Sequence, residues 1–413
     1  MQTSTSRRHP HLRPRRWTRL ALFLVAATTA VTAPDRLDAQ QTDTTETALP
    51  KVGYGSRGIF IETADGNWRT SLQYRMQFRM SNPFDADPNK DLDYTGQDET
   101  SLEINRARFK VDGHGYRPWL KYYMEFDLPN SLMLNWELKV EKYSKIRLRV
   151  GQWKAYYSRE RVVSSGRQQM ADRSLINRYF TIDRQQGISL YGRLGEGSLA
   201  DVNYWVSAFT GMGTGGREND DTNLMYMGRL QWNPFGRPVA FAGGDLSKVD
   251  DPELSIAVAG TTNQSPCTRF SGSGCGSLPG FDGTYRINQA TFETAFNWQG
   301  FSWNQELHWK MIRDVDTLEE TDLRGNYVMV GYFPGMLFES VPDPLELAVR
   351  WSVFDPRLGG TDDQSADEVS FAANWFFAGH SNKLTAEYAL FSVQSGPEEL
   401  NRGRYRLQWE IQF

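Results

Sequence analysis

Residues 67–80 read NWRTSLQYRMQFRM, and their alternation decides the fold. Trp68, Thr70, Leu72, Tyr74, Met76, Phe78 and Met80 share one parity; Arg69, Ser71, Gln73, Arg75, Gln77 and Arg79 share the other. Successive side chains of a β-strand point to opposite faces, so an oily, aromatic face here backs a face carrying three arginines. A soluble β-sandwich also alternates, but it buries one apolar face and leaves a varied polar face to water. Arginine repeated at cross-strand spacing would be severely costly in a dry core. A water-filled lumen removes that cost, provided lipid takes the other face.

The same pattern runs on. RARFKV (106–111) sets Ala107, Phe109 and Val111 against Arg106, Arg108 and Lys110. LKYYMEFDL (120–128) sets Leu120, Tyr122, Met124, Phe126 and Leu128 against Lys121, Tyr123, Glu125 and Asp127. SLMLNWELKVEK (131–142) places Leu132, Leu134, Trp136, Leu138 and Val140 on one side, and IRLRVGQW (146–153) sets Arg147 and Arg149 opposite Ile146, Leu148 and Val150. Further strands are predicted near 186–194, 200–210, 222–232, 254–260, 284–298, 301–313, 325–334, 345–354, 367–377, 383–391 and 404–413, which makes sixteen. VAFAGGDL (239–246) could be another, but it would break the alternation of short and long connections, so 233–253 reads as an elaborated turn on the short side. An even strand number, short turns on one side and long loops on the other are the marks of a transmembrane β-barrel, whose closure satisfies every backbone group within hydrocarbon. The expected fold is therefore an all-β, 16-stranded antiparallel barrel. Its last strand, RYRLQWEIQF, alternates up to a terminal Phe413 and resembles the insertion signal of outer-membrane barrels.

The N-terminus agrees. Arg7, Arg8, Arg13, Arg15, Arg16 and Arg19 precede a short apolar run, LALFLVAATTAVTA (20–33), followed by small residues. This reads as a signal peptide over 1–39, with cleavage after Ala33 or Ala39, then a polar segment over 40–57 and the barrel over 58–413. Beyond it no run of eighteen apolar residues exists, so no transmembrane helix is expected. Mean hydropathy is −0.58 although aromatics reach 13%. Removing 1–39 takes seven of 46 basic and two of 50 acidic groups, leaving a net charge of −9. Cys267 and Cys275, in CTRFSGSGC, are expected to form a loop disulfide in an exported protein.

Against that acidic background, residues 147–193 hold ten basic and three acidic residues. Within them, SRERVVSSGRQQMADRSLINRYFTID loses the alternation and is too long for an idle loop. It is expected to fold into the lumen as the long third loop, presenting guanidinium groups whose planar fork suits oxyanions. A surface loop whose arginines bridge acidic lipid headgroups or neighbouring acids is the alternative. Glu125, Asp127, Glu137 and Glu141 share the inner face and are placed to pair with the bases across strands.

RVGQWKAYYSRERVVSSGRQQMADRSLINRYFTIDRQQGISLYGRL resembles the signature segment of the phosphate-selective porin O and P family. Gly151, Lys154, Tyr156-Tyr157, Glu160, Ser164-Ser165, Asp172-Arg173-Ser174-Leu175, Arg184 and Gly187 occupy the motif's places. Tyr156-Tyr157 stands where a Pro-Phe pair is common, and Asp172 where Glu is usual. The resemblance implies a trimeric outer-membrane channel that passes anions, phosphate or pyrophosphate among them, without cofactor, metal or nucleic-acid partner. Carried onto this chain, it makes Arg75, Arg106, Arg108, Lys110, Lys121, Arg147 and Arg149 candidate wall residues and Lys154, Arg159, Arg161 and Arg173 candidates for the constriction. A general diffusion porin without phosphate preference remains open beside it. An outer-membrane enzyme would need a nucleophile, a base and an orienting group in register. After residue 39 the only histidines are His114 and His380, in short turns, and His308, on the polar parity of WNQELHWKMI.

Overall fold

The computed structural model describes residues 49–83, 99–216, 218–272, 274–278, 280–357, 364–395 and 398–413. The signal-peptide reading over 1–39 lies outside them.

A hairpin of β1 (Lys51–Gly55) and β2 (Gly58–Glu62) leads into β3 (Arg69–Asn82), β4 (Ser101–Gly115), β5 (Arg117–Asp127), β6 (Leu132–Tyr143) and β7 (Ile146–Lys154). After a long connection come β8 (Arg184–Leu194), β9 (Val202–Phe209), β10 (Met225–Trp232), β11 (Glu253–Ser265) and β12 (Tyr285–Trp298). Next are β13 (Phe301–Asp314), β14 (Glu320–Tyr332), β15 (Leu345–Arg357), β16 (Gln364–Phe376), β17 (Asn382–Ser395) and β18 (Glu398–Gln412). From β3 to β18 each strand pairs antiparallel with the next, and β18 returns to β3. Among the described residues, sixteen strands therefore close one ring, as the alternation predicted. No helix among them is long and apolar enough to cross a membrane.

The two faces divide as the sequence demands. On β6, Leu138 is 58% exposed while its neighbour Glu137 is 7% exposed. Arg75, Gln77 and Arg79 of β3 are buried, whereas Leu72 and Met80 stand outward. The seam is tied at both levels. Phe413 exchanges backbone hydrogen bonds with Tyr74 at 2.8 and 2.9 Å, and on the outer face Tyr74 stacks on Phe413 and Phe78 on Trp409. The tight turn at Gln299-Gly300 has positive φ at both residues, the conformation that matches the twist of a two-residue hairpin.

Four details differ from the sequence reading or fill it in. Leu134 faces inward, 4% exposed, and Met133 outward, 40% exposed. The register shift that pairs Glu125 with Asn135 but Phe126 with Met133 leaves Leu134 as the extra residue of a bulge, which swaps the two. Lys51–Gly55, within the polar segment read over 40–57, forms β1 against β2. Residues 233–252, all described, hold no strand, in keeping with an elaborated turn. Cys267 and Cys275 are joined in a disulfide with Cα atoms 5.2 Å apart.

Candidate functional site

The inward bases of β3 to β8 are mostly paired. Arg75 is 1% exposed and forms an ion pair with Glu410 across the seam, with Nη2 donating to Ser165 Oγ at 2.8 Å. Arg106 donates to Gln77 at 2.8 Å. Glu125 accepts from Arg108 at 2.8 Å and from Arg184 at 3.1 Å, bridging two guanidinium groups. Arg149 pairs with Glu137 at 3.0 Å, and its guanidinium lies 5.2 Å from the centre of the Tyr156 ring. Lys121 pairs with Glu141 at 2.7 Å. Glu125, Glu137 and Glu141 thus pair across strands as their parity suggested, whereas Asp127 accepts from the Asn130 side chain at 3.2 Å.

Gly151 shapes the exit from β7. Its φ is +126°, and a Cβ there would sit 2.1 Å from the Trp136 carbonyl, so only glycine fits. Past it, Trp153 packs on Phe209 and Lys154 donates to the carbonyls of Arg161 and Val163 at 2.9 and 3.2 Å.

Residues 155–183 are held by carboxylates from distant strands. Ser158 Oγ and the Glu160 N–H both donate to Glu306 of β13 at 2.7 Å, and the Leu175 N–H donates to Glu368 of β16 at 2.9 Å. The Ala171 N–H donates to Glu387 of β17 at 2.9 Å, and Gln169 to Glu346 of β15 at 2.8 Å. Arg159, 1% exposed, pairs with Glu293 of β12 at 2.7 Å, and Arg229 of β10 holds the same carboxylate. Inside the segment, Glu160 accepts from the Ser174 N–H at 2.7 Å and its hydroxyl at 2.8 Å, which explains the spacing from Glu160 to the Asp172-Arg173-Ser174-Leu175 run. Burial opposes ionisation of Asp172, but Arg79, Arg106, Arg406 and Arg173 outweigh it and hold that carboxyl well below its ordinary range. Apolar residues of the segment, Tyr157, Met170, Leu175, Ile176, Phe180 and Ile182, join one buried cluster with Tyr191, Trp205, Phe209, Ile287, Tyr327 and Phe354 of the wall. Glycines on β14 make room for it: a Cβ at Gly325 would meet Phe180 at 2.4 Å, and one at Gly331 would meet Gln169 at 1.9 Å.

Two cavities adjoin the segment. One, of about 640 Å³, is lined by short-turn residues Ala378–Ser381 together with Lys110, Lys139, Arg149 and Arg167. The other, of about 700 Å³, is lined by Arg79, Arg106, Arg161, Arg173, Arg178, Arg269 and Arg406, toward the long-loop rim. Arg108, Lys154 and Arg184 line both. The first counts eight Arg or Lys against three carboxylates, the second ten against four. Of the candidate residues, Arg106, Arg108, Lys110, Arg149, Lys154, Arg161 and Arg173 thus come together around this space. Arg75 and Arg159 sit in buried ion pairs instead, and Lys121 and Arg147 line neither cavity. Arg184 was visible in the sequence only as a motif position; Arg178 and Arg269 lie in irregular connections where alternation gives no signal, whereas Arg406 stands on the inward parity of β18, in the alternating stretch RYRLQWEIQF.

His308 is buried, with Nε2 2.8 Å from Glu306, the carboxylate that Ser158 also addresses. The hydroxyl donates to the acid rather than to imidazole, so this trio lacks the nucleophile–base contact of a hydrolase.

Residues 75–402 match the family model described as phosphate-selective porin O and P. No curated protein matches in sequence. Among solved structures, the outer membrane channel DcaP of Acinetobacter baumannii aligns with a TM-score of 0.56 at 11% identity, covering 85% of this chain and 99% of that one. An anion-selective porin from Comamonas acidovorans aligns at 0.53 and 11% identity, covering 83% and 99%. OmpT of Vibrio cholerae, in its trimer form, aligns at 0.51 and 11%, covering 83% and 99%. At such identities the likeness is one of barrel architecture.

Proposed function

The chain belongs to the phosphate-selective porin O and P family, and from that premise of an outer-membrane channel we propose that it passes small anions, phosphate-like oxyanions among them. The observation that carries this reading is the pair of basic cavities meeting at Arg108, Lys154 and Arg184. In it, the segment 155–183 narrows the lumen and confines the path to the side of β3 to β8. A run of weak guanidinium and ammonium sites then attracts an anion without trapping it. Glu125, Glu137 and Asp172 temper each site, leaving the excess charge to select sign. The signal peptide delivers the chain to the outer membrane, where lipid surrounds it and three copies assemble, as OmpT of V. cholerae does in its trimer form.

Planar-bilayer recordings test it. Under a potassium chloride gradient the reversal potential should report chloride as the more permeant ion, and added phosphate should block chloride current. A reversal potential favouring potassium would refute the anion channel; absence of phosphate block would leave a general anion porin.

A further inference from the structure

The two cavities differ in a way that net charge does not capture. The one on the short-turn side is lined by Tyr123, Trp153, Tyr156 and Phe241, whereas the other has no aromatic residue among its described lining. Tyr156 and Phe241 meet edge to face, ring centres 5.4 Å apart at 85°, and Tyr156 is backed by Trp205 at 5.2 Å. Phe241 comes from the irregular stretch 233–252, which is pinned from several sides. Arg159 donates to the Ala240 carbonyl at 2.8 Å, the Gly243 N–H donates to the Arg167 carbonyl at 2.6 Å, and the Val239 N–H to Ser255 Oγ at 3.0 Å. The rings are therefore fixed before any ligand arrives. Around them stand Arg149, Lys154 and Arg184.

We propose that this short-turn-side cavity is a binding station for aromatic carboxylates, with the arene against Tyr156 and Phe241 and the carboxylate toward Lys154 and Arg184. The inference rests on the anion-channel reading and narrows it to a class of organic substrate. Its volume, about 640 Å³, falls within the roughly 300–1,000 Å³ of cavities that take small organic ligands. An aromatic pair contributes beyond area alone, and a forked guanidinium or an ammonium holds the carboxylate. Inorganic anions use only the second half of the station. The role so assigned to 233–252 is to carry Phe241 into the path, which a plain turn between β10 and β11 could not do.

The test uses the full-length protein in planar bilayers, comparing block of chloride current by benzoate and by cyclohexanecarboxylate, which match in size and charge but not in aromaticity. Benzoate should reach half-block at about two- to tenfold lower concentration, the range expected of one aromatic contact. Phe241→Leu and Tyr156→Leu should each bring the two concentrations together. Neither substitution removes a charge, so the chloride-over-potassium reversal potential should stay at the wild-type value, which also verifies an assembled channel. Equal half-block by the two acids in the wild type would overturn the proposal, as would an undiminished benzoate preference in both variants. A wild-type channel lacking anion preference would instead remove the reading beneath it.

Discussion

Lys154 and Arg159, five residues apart, put the same charge to opposite uses. Lys154 ends β7 facing both cavities, its ammonium resting on two carbonyls with no carboxylate of the described residues within ion-pair distance. Arg159 is enclosed with Glu293, Arg229 and the carbonyls of Val239 and Ala240. Reversing the first charge therefore acts on passing ions and removing the second acts on the fold. Two unit charges at 4 Å interact by about 1 kcal/mol even in water, so Lys154→Glu should lower the chloride-to-potassium permeability ratio by about fivefold or more. Arg159→Ala leaves a buried carboxylate short of a partner, which typically costs about 3–5 kcal/mol. Its unfolding temperature should fall while its permeability ratio stays put; the reverse pattern in the two variants would contradict these assignments. Parity in the sequence reveals which face an arginine takes. It cannot reveal whether water or a carboxylate waits there, because Glu293 lies on a strand more than a hundred residues on.

Alternation made the strands legible as elements, since each repeats the same two-residue period over eight residues or more and lipid rewards no other pattern. It failed where the period slips. The bulge that turns Leu134 inward leaves no mark in SLMLNWELKVEK, and β1 is too short and mixed to stand out from a polar leader. The connection 155–183 was recognisable by its length and charge, but its moorings were not. They come one to a strand, Glu293, Glu306, Glu346, Glu368 and Glu387, each on the inward parity, a recurrence legible only once the ring is closed. Backbone N–H groups of a buried irregular segment must find acceptors, and Glu293, Glu306, Glu368 and Glu387 supply them, while Glu346 takes the side-chain amide of Gln169. Losing a hydrogen bond to a charged group costs about 1.5–3 kcal/mol. Glu306→Ala combined with Glu387→Ala should therefore loosen the segment within an intact barrel. Open-channel current noise should rise, and trypsin should cut at Arg167 or Arg173 in the variant but not in the wild type. Quiet, protease-resistant channels would show that the apolar cluster alone fixes the segment.

For the whole molecule, closure and lipid contact are one problem. A barrel open between β3 and β18 would leave two strand edges unpaired in hydrocarbon, so the seam is reinforced inside by Arg75 with Glu410 and outside by the Tyr74–Phe413 and Phe78–Trp409 stacks. Everything then depends on which surface the solvent is. Leu138 and Lys139 are consecutive in mid-β6, with the leucine outward and the lysine beside Glu137 in the short-turn-side cavity. Were the outer face wetted, an arginine at Leu138 would cost little; in a bilayer it costs about 2–4 kcal/mol near the midplane. Lys139→Arg keeps the inner charge in an aqueous cavity and should leave stability within about 0.5 kcal/mol. Denaturant unfolding from lipid vesicles should therefore separate Leu138→Arg from wild type by several times the shift seen for Lys139→Arg. Equal stability of the two variants would mean that the leucine faces something other than acyl chains, and the inside-out polarity of this barrel would have to be abandoned.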